Sequence, residues 1–325
     1  MDTELDVFFY EAFEEEEQGL KRLLPKGLRA GFVPSTIQEH GGQHPPAPVI
    51  SIRTQSEIPP GWASELQAII ARTTGYDHLQ AYRDRTGSKL PCGHLPKYCS
   101  RAVAEQAMLL WMSLLRKLPA QTEHFRTFDR DGLTGFECEG RNLLVVGVGN
   151  IGSEVARIGA GLGMNVLGVD IVHRHTSVNY VSIEEGLPNA DVVVCSMNLT
   201  SANAGYFDIE RFRTFRKGAL FVNVARGEMS PAAELLRALD EGILSGAGLD
   251  VYDHESVLAV SLRAGKPTDD PSVRAILELA KRPNVILTPH NAFNTHESVE
   301  RKSRQTMEQI AHFREHGAFL WQAPD

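Results

Sequence analysis

The chain has 325 residues, 42% of them hydrophobic and 23% charged, with a formal net charge of -8. A chain this long buries a large core and usually divides it, so two domains are expected. The acidic balance and the absence of any Lys/Arg block exclude a nucleic-acid or anionic-membrane partner, because neutralising phosphates needs a basic face.

The N-terminus is acidic where a secretory leader would be basic and apolar, and no stretch approaches the length of a membrane span; a cytoplasmic protein is expected. Residues 5–10 read as a strand and 11–24 as a helix, with Glu14, Glu15, Glu16 and Glu17 as its solvated face. Residues 31–48 fit no pattern. Residues 48–52 read as a strand, 64–71 as a helix or helix-strand passage, and 72–77 as a polar glycine turn. Cys92, His94 and Cys99 lack a fourth clustered ligand, so no metal is expected. Cys138 and Cys195 complete a set of four scattered cysteines, which suits a reducing compartment. Apolar spacing predicts a helix over 100–117. Strands follow at 143–146, 166–169, 191–195, 219–223, 247–251 and 285–288, mostly separated by helical segments, which implies a parallel sheet covered on both faces. The tail holds an amphipathic helix over 298–316. Its return to the first domain would leave the second domain inserted between two linking segments.

The run from Leu143 through Gly147, Gly149, Asn150, Ile151 and Gly152, with Asp170 closing the next strand, reads as a dinucleotide clamp. Gly147 permits the tight turn, Gly149 lets backbone approach a pyrophosphate, and Gly152 allows close helix-strand packing. The N–H groups of Asn150 and Ile151 at the helix N-terminus face the phosphates. Asp170 accepts the ribose hydroxyls and repels a 2′-phosphate, so NAD is favoured, with Arg174 keeping a minor NADP reading open.

Ligands of such sheets bind beyond the carboxyl ends of the strands, which directs attention to Asp170, Met197, Asn198, Arg226, Asp253 to Glu255, and His290. Arg226, Glu255 and His290 suit ketone reduction. A protonated imidazole supplies the proton when hydride reaches a carbonyl carbon, a carboxylate beside it orients it, and an arginine grips a substrate carboxylate.

At these motifs the sequence resembles the D-isomer-specific 2-hydroxyacid dehydrogenase family, from about Arg72 to His312. The resemblance is carried by the 72–77 turn, Leu95 to Tyr98, the Gly147–Gly152 run, Asn223 to Gly227, Gly248 to Tyr252 with Glu255, and Thr288 to His290. It implies an α/β architecture in which a doubly wound parallel-sheet (Rossmann) NAD domain, 103–293, is inserted into a smaller flavodoxin-like α/β substrate domain, 1–102 and 294–325. It assigns Arg226, Glu255 and His290 as the catalytic set. Backbone amides of Thr74 and Gly75 would bind the substrate carboxylate, Tyr98 would line the pocket, and Asp250 would meet the nicotinamide carboxamide. Val224 and Ala225 join Met197 and Asn198 on the cofactor side. The stretch 290–295 is most similar to the D-lactate dehydrogenase branch, where Phe293 would cap a small apolar pocket suited to pyruvate. The resemblance also implies a homodimer. Two alternatives stand beside this reading: a bulkier or phosphorylated 2-ketoacid (hydroxypyruvate, glyoxylate or phosphoglycerate type), or an NAD-sensing corepressor-like protein. Ser196 and Asn198 depart from the family's usual histidine or proline near the cofactor, and Ser256 from its proline.

Overall fold

The computed structural model describes residues 5–324. The chain divides into two compact units, one formed by the chain up to Cys99 together with the chain from Asn294 onward, the other by Ser100–Phe293.

The smaller unit is built on β1 (Val7–Phe9), β2 (Ala30–Phe32), β3 (Val49–Ile52), β4 (Ala68–Ala71) and β5 (Cys92–Gly93), all parallel in the order β2-β1-β3-β4-β5. A parallel sheet is covered on both faces, which is why its strands are unbroken apolar runs. Ile50, Ile52, Ile69 and Ala71 point to one core with Tyr10, Trp62, Leu79 and Tyr82. Val7, Phe9, Val49 and Ile70 point to the other with Leu20, Met307, Ile310 and Phe319. The second face is therefore covered partly by the C-terminal helix His296–His316, whose first turn is capped by Thr295 accepting the Ser298 N–H at 3.2 Å.

Several local expectations change here. The first helix is Glu14–Leu23, because Glu11 takes a left-handed backbone (φ 53°) and turns its carboxylate to the N–H groups of Arg53, Gln55 and Ser56. Within the acidic run, Glu16 is fully buried rather than solvated. Of the two readings of 64–71 the helix-strand passage is the one present, with the 3-10 turn Pro60–Ser64 ending at Ser64 and β4 beginning at Ala68. The segment 31–48 supplies most of β2 and a short helix, Ile37–His40, held by a reciprocal cap between Thr36 and Glu39.

The larger unit carries β6 (Asn142–Val146), β7 (Asn165–Val169), β8 (Asn179–Tyr180), β9 (Val192–Cys195), β10 (Ala219–Asn223), β11 (Leu244–Leu249) and β12 (Val285–Leu287), all parallel in the order β12-β11-β10-β9-β6-β7-β8. The chain winds outward from β6 in one direction and returns to start at β9 in the other, so the switch point lies between β6 and β9. This is a doubly wound Rossmann-type sheet. Phe207, Phe212 and Phe215 pack edge to face around Phe221 of β10, with Phe207 and Phe221 centroids 4.8 Å apart. The long apolar helix Ser100–Leu115 ends where Lys117 turns left-handed. All four cysteines are buried free thiols. Among the described residues no helix is long and apolar enough to cross a membrane.

Candidate active site

At the β6-β9 switch point the glycines carry distinct loads. Gly147 has φ 94°, and a Cβ there would lie 2.6 Å from the Met197 N in the loop after β9. A Cβ on Gly152 would lie 1.9 Å from the Gly147 carbonyl oxygen, so the helix Asn150–Gly161 sits on the turn with no room for a methyl. Gly149 differs: a Cβ there would meet nothing within 4 Å. Its bareness answers to no protein neighbour, which is what a cradle for a pyrophosphate requires. Ser196, where the sequence departs from the family habit, donates its hydroxyl to the Gly147 carbonyl at 2.7 Å and pins the two loops together. Asp170 ends β7 half-buried, each carboxylate oxygen accepting one backbone N–H, from Val148 at 2.7 Å and from Val172 at 2.9 Å. A carboxylate oxygen has further lone-pair capacity for a hydroxyl. Met197 packs against the core, the Asn198 carbonyl accepts from Asn203, and Val224 and Ala225 are buried as β10 runs into its turn.

On the same carboxyl edge, β10, β11 and β12 bring the proposed reacting groups forward. His290 Nδ1 lies 2.7 and 2.9 Å from the two oxygens of Glu255, with both side chains largely covered. A carboxylate only accepts, so Nδ1 carries the hydrogen and Nε2 is the nitrogen turned to chemistry. Five non-glycine residues have positive φ among those described, and two are at this pair: His290 itself (φ 51°) and His254 (φ 55°), which precedes Glu255. Such backbone persists only where neighbours over-determine it. Here the neighbour is Asp250. Its carboxylate, 1% exposed, accepts the N–H groups of Asn291 and Ala292 at 2.9 Å and the Thr288 hydroxyl at 2.5 Å. Burial pushes the Asp250 carboxyl above its ordinary value, against the pull of His290 and these hydrogen bonds. Whatever contact Asp250 makes with the nicotinamide, as the resemblance implies, its carboxylate also holds the 288–292 loop in shape.

Arg226 is half-buried, and Asn223 folds its turn by donating to the Arg226 carbonyl at 2.9 Å and to Ser230 at 2.8 Å. Gly227 brings that turn against the loop after β11, where a Cβ would lie 1.8 Å from the Tyr252 carbonyl carbon. Tyr252 in turn donates its hydroxyl to the Thr288 carbonyl at 2.7 Å. The arginine turn, the glutamate helix and the histidine loop thus touch in sequence. Nothing in the sequence pattern marks Thr288 and Tyr252 as holding this geometry, although they stand one and three residues past the ends of β12 and β11.

In the smaller unit, Thr74 and Gly75 follow β4 half-exposed, with the Thr73 hydroxyl bonded to the Gly75 carbonyl at 2.7 Å. The Thr74 hydroxyl and Cys99 thiol lie 3.4 Å apart, and the Thr74 carbonyl accepts His94 Nδ1–H at 2.9 Å. Burial lowers the His94 pKa, opposed by that bond. Cys92 is buried in β5, and no cluster of three or more potential metal ligands occurs among the described residues. Tyr98 is 4% exposed and its carbonyl accepts from Arg301 Nε at 2.8 Å. Phe293, at the end of the larger unit, is buried.

Residues 108–292, more than half of the chain, match the family described as D-isomer specific 2-hydroxyacid dehydrogenase, NAD binding domain. The chain belongs to this family. Its Rossmann unit is the family's NAD-binding domain, and the bare Gly149 and the Asp170 carboxylate fit that cofactor. The chain is 33% identical over 214 residues to a D-lactate dehydrogenase of Streptococcus agalactiae, 64% of each chain, so it spans under two thirds of that relative. It is 29% identical over 263 residues to a glyoxylate reductase of Korarchaeum cryptofilum, covering 78% of this chain and 74% of the relative. Over nearly its full length (98%, and 100% of the other chain) it superposes on D-lactate dehydrogenase from Aquifex aeolicus complexed with NAD and lactic acid, with 28% identity and a TM-score of 0.85.

Proposed function

We propose that this family member is an NAD-dependent D-2-hydroxyacid dehydrogenase that interconverts a short 2-ketoacid such as pyruvate with the D-2-hydroxyacid. The single observation that carries the reading is the His290-Glu255 pair, held by a left-handed backbone at the carboxyl end of β12. When bound along the Gly147–Gly152 turn, NADH supplies the hydride. His290 Nε2 gives its proton to the developing alkoxide oxygen, while Glu255 fixes the ring through Nδ1–H and stabilises the charge lost and gained there. Arg226 grips the substrate carboxylate by two parallel charge-assisted bonds and fixes which face of the ketone meets the hydride donor. The backbone amides of Thr74 and Gly75 are assigned to the same carboxylate, and Tyr98 and Phe293 to the walls around the ketoacid side chain. The similarity to lactate dehydrogenases supports a methyl-sized pocket, and that to a glyoxylate reductase supports glyoxylate as the competing acid.

The test is steady-state NADH oxidation with pyruvate, hydroxypyruvate, glyoxylate and longer 2-ketoacids, with chiral analysis of the product. His290→Asn, which tolerates left-handed backbone, should lower kcat by roughly 10²- to 10⁴-fold with NADH affinity retained. Absence of turnover with every acid, or an Asn variant as active as the parent, overturns the reading. NADPH should serve poorly, because Asp170 repels a 2′-phosphate.

A homodimer is part of the same proposal, supported by the exposed apolar side chains Leu118, Phe125, Phe128 and Phe136 that follow the helix Ser100–Leu115. Sedimentation of the parent and of a Phe125→Ser, Phe128→Ser variant tests it; a monomeric parent sinks it. The four buried free thiols fit a reducing compartment such as the cytoplasm.

A further inference from the structure

The smaller unit keeps a charged cluster out of water next to the 73–75 turn. Arg72, Glu16 and Lys302 are each fully buried, and Arg72 Nε and Lys302 Nζ both lie 2.8 Å from the same Glu16 oxygen. The other Arg72 nitrogens donate to Ser51 Oγ at 2.9 Å and to the carbonyls of Tyr10 at 2.6 Å and Glu11 at 3.1 Å. Two routes lead from the cluster to the turn. Arg72 is the residue before Thr73. On the other side, Lys302 Nζ lies 4.9 Å from the Phe13 ring and 5.9 Å from the Tyr98 ring, and the residue after Tyr98 is the Cys99 that meets the Thr74 hydroxyl.

Charged groups from several elements surround Lys302. Glu16 comes from the helix Glu14–Leu23, Glu11 from the end of β1, Arg53 from the end of β3, Arg72 from the end of β4, and Arg301, on the same helix, reaches the Tyr98 carbonyl. The Arg53 guanidinium stacks on Phe13, 5.5 Å from its centroid. Arg72 and Lys302 are thus buried with two carboxylates, Glu11 and Glu16, and Arg53, half-buried, adds a further positive charge beside them. Burying charged groups is costly, and a purely structural role at position 302 would be met by an apolar side chain of the same length.

We propose that Lys302 is a positioning residue for the reaction, its buried charge drawing the 2-ketoacid carboxylate to the Thr74 and Gly75 amides. This rests on the function proposed above. Desolvation, joined by Arg53 and Arg72 and opposed by Glu16, brings the Lys302 ammonium down from its ordinary value to about 7, so its charge is adjustable near neutral pH. An anion at the turn favours the protonated form and pulls a proton in.

Lys302→Met, close to isosteric, tests the proposal with NADH saturating from about pH 6 to 9. The expected result is a KM for the ketoacid raised roughly five- to twentyfold at about pH 6.5, with kcat within about twofold. The fall of 1/KM as pH rises through about 7 should also become shallower by one proton. A variant that melts cooperatively and keeps both KM and its pH dependence overturns the proposal. A second measurement does not depend on that variant folding or on turnover. In the NADH complex of His290→Asn, binding of oxamate near pH 7, followed by calorimetry in buffers of different ionisation enthalpy, should still take up protons. No uptake there also overturns it. A parent inactive on every ketoacid would instead defeat the proposed function, and the oxamate result would still decide the role of Lys302.

Discussion

The two sheets treat their switch points in opposite ways. In the larger unit, the connections from β6 and β9 diverge and the turn after β6 is left bare, so that a Cβ on Gly149 would meet no protein atom within 4 Å. In the smaller unit, the connections from β1 and β3 diverge in the same manner, but Glu11 fills the opening with a carboxylate that takes three backbone N–H groups. Strand order creates a crevice in both. The side chain two or three residues past the strand decides whether it stays open for a ligand or is closed by the protein itself.

The sharpest way to break this contrast is to add one methyl at two positions of the same glycine turn. Gly152→Ala places a Cβ against the Gly147 carbonyl and should cost about 3 kcal/mol of stability along with NADH binding. Gly149→Ala should leave stability within about 0.5 kcal/mol while weakening NADH by roughly tenfold or more, the factor of a 1.4 kcal/mol clash. Equal losses of stability in urea titrations of the two variants would refute the distinction. Next in size is Asp250→Asn, which puts an amide where three donors converge: about 2 kcal/mol of stability and a fall in kcat of up to about 10²-fold should follow. An NADH affinity loss without a kcat loss would favour the nicotinamide contact that the family resemblance implied for Asp250. Glu11→Gln should cost about 1 kcal/mol, read as faster amide exchange around β1 and β3, and leave NADH affinity unchanged.

The smallest effect is acid sensitivity. Burial alone would raise the Glu16 carboxyl, but Arg72 and Lys302 overcome it and hold it at about 2, below its ordinary 4.5. A depressed carboxyl contributes stability above its unfolded value that is lost as pH falls toward the folded one. The smaller unit should therefore lose about 1 kcal/mol between pH 4.5 and 3.5, seen as earlier loss of amide protection in β1 and β4 than in β6 and β9. Simultaneous loss in both sheets would count against it.

Much of the larger unit was legible in the sequence because its informative residues sit next to strand ends. The Gly147–Gly152 run, Asp170, Arg226, Glu255 and His290 each follow an apolar run by a step or a short turn, so periodicity alone located them. The contact between Glu255 and His290 is long-range, yet both ends were marked by their strands. The smaller unit offered no such markers. Glu16 looked like one of four equivalent surface acids, since the Arg72 and Lys302 that bury it lie in other segments. The segment 31–48 hid β2 because a three-residue strand, Ala30–Phe32, is too short to show a period among glycines, prolines and histidines. The work done by Asp250 was hidden for another reason: two of its three donors are backbone N–H groups, which no side-chain pattern encodes.

The packing at Gly227 bears on how such a site can be borrowed or redesigned. Because its Cα lies where a methyl would overlap the backbone at Tyr252, the arginine turn and the segment leading to Glu255 form a single graftable piece. A transplant of either alone into another scaffold would inherit half of an interlock, and a mutational library there should vary the two together.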